Sequence, residues 1–192
     1  MVNEPYFIDN TMLIKKMHKL DKNDCAMICG PRGWGKSHNL DMIYDYHNIY
    51  QDIPSRKVDT SPNPNKAIFE RLSIGENDKF FNQHFGRYPV VYLDFHNAAG
   101  KFIIECRKNL GIEAFKEFTK YVYLLDDPKL SKEFRKLLNL SRADIQKSPA
   151  NHLLELCDYL FDYYGKPCMI LIDEFDLLIS NMIHNSNNEK NK

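Results

Sequence analysis

The sequence predicts an α/β protein with a mostly parallel sheet between helical layers, and three observations predict it. Apolar runs at residues 25–29, 88–95 and 168–174 have the length of strands, and the second is nearly continuous, as in a strand covered on both faces. Segments of helical periodicity separate these runs, the alternation that yields parallel strands with helical crossovers. A glycine-rich octapeptide, Gly30-Pro31-Arg32-Gly33-Trp34-Gly35-Lys36-Ser37, follows the first run directly and leads into a helical pattern.

In chain order, Asp9 is placed to cap a first helix in which Leu13, Met17 and Leu20 share a face. Asp21-Lys22-Asn23-Asp24 is a polar turn into the first strand, Cys25-Ala26-Met27-Ile28-Cys29. Ser37 to His47 reads as a helix with Leu40, Ile43, Tyr44 and His47 on one face. Residues 48–65 carry Pro54, Pro62 and Pro64 among polar side chains and read as an irregular loop, with a short helix from Lys66 to Leu72. Tyr88-Pro89-Val90-Val91-Tyr92-Leu93-Asp94-Phe95 is the second strand.

From Lys101 to Leu125, Phe115, Phe118, Val122 and Leu125 keep helical spacing, and Gly111 is expected to bend or split the segment. Asp127-Pro128 restarts a helix whose buried stripe is Leu130, Phe134, Leu137 and Leu138. Ser148-Pro149 then supplies an N-cap and a first-turn proline to a helix ending near Gly165, with Leu153, Cys157, Leu160, Phe161 and Tyr164 inside. Cys168-Met169-Ile170-Leu171-Ile172-Asp173-Glu174 is the third strand, with a helix expected over residues 175–183. No internal repeat is present.

The octapeptide fits the phosphate-loop pattern G-x-x-x-x-G-K-S, the Walker A motif. Glycines at 30, 33 and 35 permit the backbone angles that turn successive N–H groups inward as an anion nest at a helix N-terminus. Lys36 is expected against the β- and γ-phosphates of a nucleotide, and the Ser37 hydroxyl in the shell of Mg²⁺. The predicted contact set is Gly30, Pro31, Arg32, Gly33, Trp34, Gly35, Lys36, Ser37 and His38. The plain alternative is a glycine-rich turn without a ligand, but such a turn needs neither Lys36 nor Ser37.

The third strand ends in paired carboxylates, the form of a Walker B segment. Asp173 is expected to hold Mg²⁺ through water and Glu174 to polarise the attacking water as general base, making Glu174 and Lys36 the catalytic candidates. On the other reading Asp173 or Asp176 is a helix cap; the upstream phosphate loop favours the catalytic one. Asp94 closes the second strand, either as a third polar contact to metal or water or as the cap of the following turn. Arg32 and Trp34 are expected to point outward from the loop.

The 192 residues suffice for one globular domain with a sizeable core. Their 26 basic and 26 acidic side chains cancel, so nucleic acid is not indicated, and the basic excess between Lys101 and Lys147 reads most simply as a solvated helical surface. The five cysteines form no C-x-x-C pair, and Cys25, Cys29 and Cys168 lie in apolar strand-like runs as small hydrophobes. The seven histidines are scattered along the chain. No basic and apolar leader opens the sequence, and no run reaches the roughly 18 apolar residues of a membrane span. A soluble, cytoplasmic protein with no membrane contact is expected.

Phe7-Ile8-Asp9, Pro31-Arg32 with Trp34-Gly35-Lys36-Ser37, the strand from Tyr88 to Phe95, and Tyr163-Tyr164-Gly165-Lys166 running into Leu171-Ile172-Asp173-Glu174-Phe175-Asp176 together resemble the AAA-ATPase-like family. The resemblance runs from about residue 6 to 183. It implies a P-loop NTPase-like three-layer domain over residues 1–184 that binds ATP and Mg²⁺, with residues 185–192 as a disordered polar tail. The family usually has Arg-Arg-aromatic before its Gly-Lys, often with Arg in place of the first glycine; Gly30 and Gly33 bring this loop nearer the general pattern. Members often carry a C-terminal nuclease-like domain of the PD-(D/E)XK type and a sheet of about five strands. Three strands and no such domain are visible here, so an incomplete sheet in a truncated relative or fragment is expected.

Two functions follow as expectations: an ATP-binding domain that hydrolyses ATP with Mg²⁺, or a non-catalytic module that keeps the fold and presents surface to a protein partner or another copy of itself. A GTPase has little support, because Asn65-Lys66 continues as Ala67-Ile68 and no N-K-x-D tetrapeptide occurs, and a small-molecule kinase is a minor further reading.

Overall fold

The computed structural model describes residues 8–21, 24–50, 63–98, 100, 102–177 and 180. The chain forms two compact units, one of residues 1–50 and 59–88 and one of residues 51–58 and 89–192.

Among the described residues, four helices make the first unit: α1 (Met12–Met17), α2 (Lys36–His47), α3 (Lys66–Phe69) and α4 (Asp78–His84). Asp9 does not cap α1 itself. Its carboxylate accepts from Thr11 N–H and from the Thr11 hydroxyl, and reaches across to Ser73 N–H at 2.7 Å. Burial raises the Asp9 pKa, but these hydrogen bonds outweigh it and hold the carboxyl at about 2. Thr11 Oγ1 in turn accepts from Ile74 N–H, so the start of α1 is tied to the segment after α3. The expected stripe of α1 is corrected: the helix ends at Met17, Leu20 lies beyond it and is exposed, and Ile14 is the buried residue.

In α2 the buried residues are Ile43, Tyr46 and His47, whereas Leu40 and Tyr44 are half-buried. The stripe turns toward Tyr46 because its ring meets three others edge-on: Phe69 at 5.3 Å, Phe81 at 5.8 Å and Phe85 at 5.4 Å. Past α2, Gly86 N–H and Tyr88 N–H donate to the carbonyls of Tyr46 and His47, and Ile49 N–H donates to Tyr88, forming a short parallel bridge. The expected loop at 48–65 lies largely outside the described residues.

Residues 25–29 form no strand, and Cys25 and Cys29 are exposed, which corrects the expectation of a buried run. Apolar composition says what a covered strand would contain; a ladder also needs a paired neighbour, and these residues have none among those described.

The second unit holds two of the three expected strands. β1 (Val90–Asp94) and β2 (Met169–Asp173) pair in parallel, with Val90 opposite Met169 and Asp94 opposite Asp173. Between them run α5 (Ile103–Lys120), a 3-10 turn (Val122–Asp126), α6 (Lys132–Leu138), α7 (Arg142–Lys147) and α8 (Pro149–Tyr164). The result is a mixed helix and strand unit compatible with the α/β class.

α5 closes the free edge of β1. Glu117 Oε2 accepts from Tyr92 N–H at 3.1 Å, and the Tyr121 hydroxyl donates to Val90 C=O at 3.0 Å. The other Glu117 oxygen pairs with Lys120 at 2.7 Å. Burial still pushes the Glu117 carboxyl above the usual range, since Lys120 and the Tyr92 bond offset only part of the desolvation.

Gly111 does not split α5; the helix runs through it. Its function is close approach, because a Cβ there would lie 2.5 Å from Gln146 Cγ and 2.8 Å from Gln146 Cα in α7. The sequence reading did not foresee α7, although Ser141 caps it by accepting from Asp144 N–H. Ser131 caps α6 likewise, and Leu130, Phe134, Leu137 and Leu138 are buried as expected. In α8 the buried residues are Leu153, Leu156, Cys157 and Leu160, with Pro149 at the start and Gly165 in a left-handed conformation at the end. Phe161 is exposed and Tyr164 half-buried, because the inward stripe follows positions 153, 156, 157 and 160.

Gly111→Ala is expected to lower stability by about 1–3 kcal/mol, since a backbone atom of α7 must give way. Denaturant unfolding measures it, and an unchanged midpoint would show that α5 and α7 separate without cost.

Candidate functional site

The phosphate loop lies in the first unit, where α2 starts. Gly33 has φ of 81° and Gly35, the N-cap, has φ of 74°, both in the left-handed region. An added Cβ at either would meet nothing within 4 Å, so conformation rather than space demands glycine. Gly30 is not held by a positive φ. The first α2 bond runs from Asn39 N–H to Gly35 C=O, so the amides of Lys36, Ser37 and His38 precede the helical ladder. The Asn39 side-chain amide donates to the same carbonyl at 2.9 Å, a contact the motif did not reveal.

Lys36 folds back over its own loop. Its Nζ donates to Gly30 C=O at 2.9 Å and to Pro31 C=O at 3.2 Å, closing a ring of residues 30–36. Arg32, Ser37 and His38 are exposed, and Trp34 is 75% exposed, in keeping with outward-facing side chains. The amides of Lys36, Ser37 and His38 at the start of α2, with the Lys36 ammonium beside them in sequence, are groups that can receive a multiply charged anion.

The carboxylates belong to the second unit. Asp94 and Asp173 stand opposite each other at the C-terminal ends of β1 and β2, on the same face, both half-buried. Asp94 spends one oxygen on His96 N–H at 2.8 Å and the other on the Asn97 side chain at 3.2 Å, which makes it the cap of its turn. Asp173 Oδ1 accepts from Glu174 N–H at 2.9 Å. Glu174 has φ of 51°, the left-handed region in which side chains other than glycine are uncommon. The next turn is joined by Leu177 N–H to Glu174 C=O and Ser180 N–H to Asp176 C=O; most of the expected helix at 175–183 lies outside the described residues, as does the tail at 185–192.

Among the described residues, no group of three or more His, Cys, Asp or Glu is placed to hold a metal ion. No helix among them is long and apolar enough to cross a membrane.

The left-handed backbone at Glu174 generates a test. Glu174→Gly should leave stability unchanged or raise it by about 1 kcal/mol, the released strain being partly offset by the flexibility of glycine in the unfolded chain. A clear loss of stability in denaturant unfolding would show that the side chain itself holds the turn.

A family model described as predicted AAA-ATPase, the AAA-ATPase-like family, matches residues 2–192. Comparison with curated proteins and with solved structures gave no match.

Proposed function

The chain belongs to the AAA-ATPase-like family of predicted AAA-ATPases, and from that membership we propose that its phosphate loop binds ATP with Mg²⁺ and that the site hydrolyses it. The observation that carries this reading is the Lys36 ammonium on the Gly30 and Pro31 carbonyls, at the mouth of a loop with two left-handed glycines. On binding, Lys36 exchanges these carbonyls for β- and γ-phosphate oxygens, and the amides of Lys36, Ser37 and His38 take further oxygens. Pro31, Arg32 and Trp34 shape the loop's outer wall. Binding of this kind is positional and electrostatic.

Ser37 and Asp173 are the oxygen donors proposed for the metal, which when bound would neutralise charge on the phosphates. One hydroxyl and one carboxylate suit Mg²⁺, which keeps water and substrate phosphates in its shell rather than requiring an all-protein cage. Glu174 is proposed as the residue that orients and deprotonates the attacking water. A second reading, a non-catalytic interaction module, draws on the exposed apolar side chains Ile170, Ile172 and Phe175 around the end of β2.

ATP with Mg²⁺ at about a hundred times its dissociation constant should stabilise the chain by about 2.7 kcal/mol, a rise of several degrees in melting temperature. Lys36→Ala should remove the rise, and quenching of Trp34, the single tryptophan, should report the same event. No rise in either protein would end the nucleotide reading. Glu174→Gln should keep binding and lose turnover by about a hundredfold or more. Turnover that is absent from the unmodified chain would instead favour the interaction module.

A further inference from the structure

Three histidines distant in sequence meet in the first unit. His18 follows the end of α1, His47 ends α2 and His84 ends α4. His18 Nε2 and His47 Nε2 are 2.8 Å apart, and His47 Nδ1 is 2.7 Å from the carbonyl of Ile43. A carbonyl only accepts, so His47 carries its proton on Nδ1 and offers Nε2 as an acceptor. His18 therefore donates from Nε2. The His18 ring lies 4.1 Å from that of His84, whose Nδ1 is 2.6 Å from the Tyr88 hydroxyl. Phe80 packs edge-on against His18, and His47 is fully buried.

We propose that His18, His47 and His84 form a proton-operated latch, which pins the ends of α1 and α4 to the end of α2 when neutral and opens when protonated. A proton added to His47 Nε2 would set N–H against N–H across 2.8 Å, which destroys the hydrogen bond. Charge on both His18 and His84 would place two cations in rings 4.1 Å apart.

Among the described residues, the charges acting on His18 and His47 are those of the other histidines: His84 on His18, and His18 with His84 on His47. Tyr46 and Tyr88 also face His47 from α2 and the segment after α4; burial raises both phenols, so they stay neutral and supply no countercharge. Burial and then His84 push His18 down to about 4. Burial pushes His47 down to about 3, against a smaller opposing effect of the Ile43 carbonyl.

Both folded-state values lie below the ordinary 6.5, so the latched form binds fewer protons than the opened chain in acid. Its stability is complete above about 7, falls as pH drops through 6.5 and continues to fall toward 4 and 3. The helix it anchors begins at Lys36, so the latch fixes the far end of the helix that carries the phosphate loop.

Melting temperatures of the full chain between about pH 7.5 and 5.5 test this, comparing the unmodified protein with a double variant, His18→Gln and His84→Gln. Glutamine at 18 keeps an amide donor near the Nε2 position but cannot titrate in this range. The unmodified chain should lose about 5 °C or more, and the variant about half of that. Parallel profiles would overturn the latch.

If the variant fails to fold, ¹⁵N spectra of the unmodified protein's imidazoles decide instead. Neutral His47 protonated on Nδ1 and neutral His18 protonated on Nε2, persisting to about pH 5.5, support the latch. Titration of either near 6.5 in a chain that stays folded overturns it.

Discussion

The second unit depends on one constraint: a two-stranded parallel sheet must satisfy the outward-facing backbone groups of its strands. Among the described residues, α5 and the residue that follows it do this for β1, with Glu117 taking the Tyr92 N–H and Tyr121 reaching the Val90 carbonyl. A buried carboxylate is costly alone, and here Lys120 and the amide share that cost. Because both contacts come from one helical turn, they fix the rotation and height of α5 against β1. Gly111 then lets α7 approach, and α8 completes the core around Phe118, Leu156 and Leu160. The sheet register that results sets Asp94 beside Asp173.

The first unit is organised around α2, whose two ends serve different chemistry. At its start stand the left-handed glycines and the Lys36 ammonium bonded to the Gly30 and Pro31 carbonyls, the groups proposed to meet anionic oxygen. At its other end, Tyr46 and His47 are buried among aromatic rings and imidazoles from α1, α3, α4 and the segment that follows.

Much of the candidate site was legible because its geometry is local. Gly33 and Gly35 adopt left-handed angles that the motif demands within eight residues, and Lys36 sits where a side chain six positions from Gly30 can reach it. The bounds of α8 were legible for the same reason, with proline at its start and glycine at its end. The carboxylates at 173 and 174 were also found from sequence, but the left-handed Glu174 was not, since nothing in glutamate signals that conformation. Asn39 escaped notice because asparagine in a helix's first turn has many ordinary uses.

What the sequence determined by itself is therefore the local chemistry: turn conformations, caps, a glycine-rich loop ahead of a helix and a strand ending in carboxylates, each encoded within a few neighbouring residues. Tertiary structure alone decided the rest. Cys25, Met27 and Cys29 are left exposed while Glu117 is buried, because burial depends on which partners are present and not on composition. Gly111 serves contact rather than a bend, because only α7 supplies the atoms that exclude a Cβ. His18, His47 and His84 become one cluster because three helix ends converge, and such convergence leaves no periodic mark on the chain.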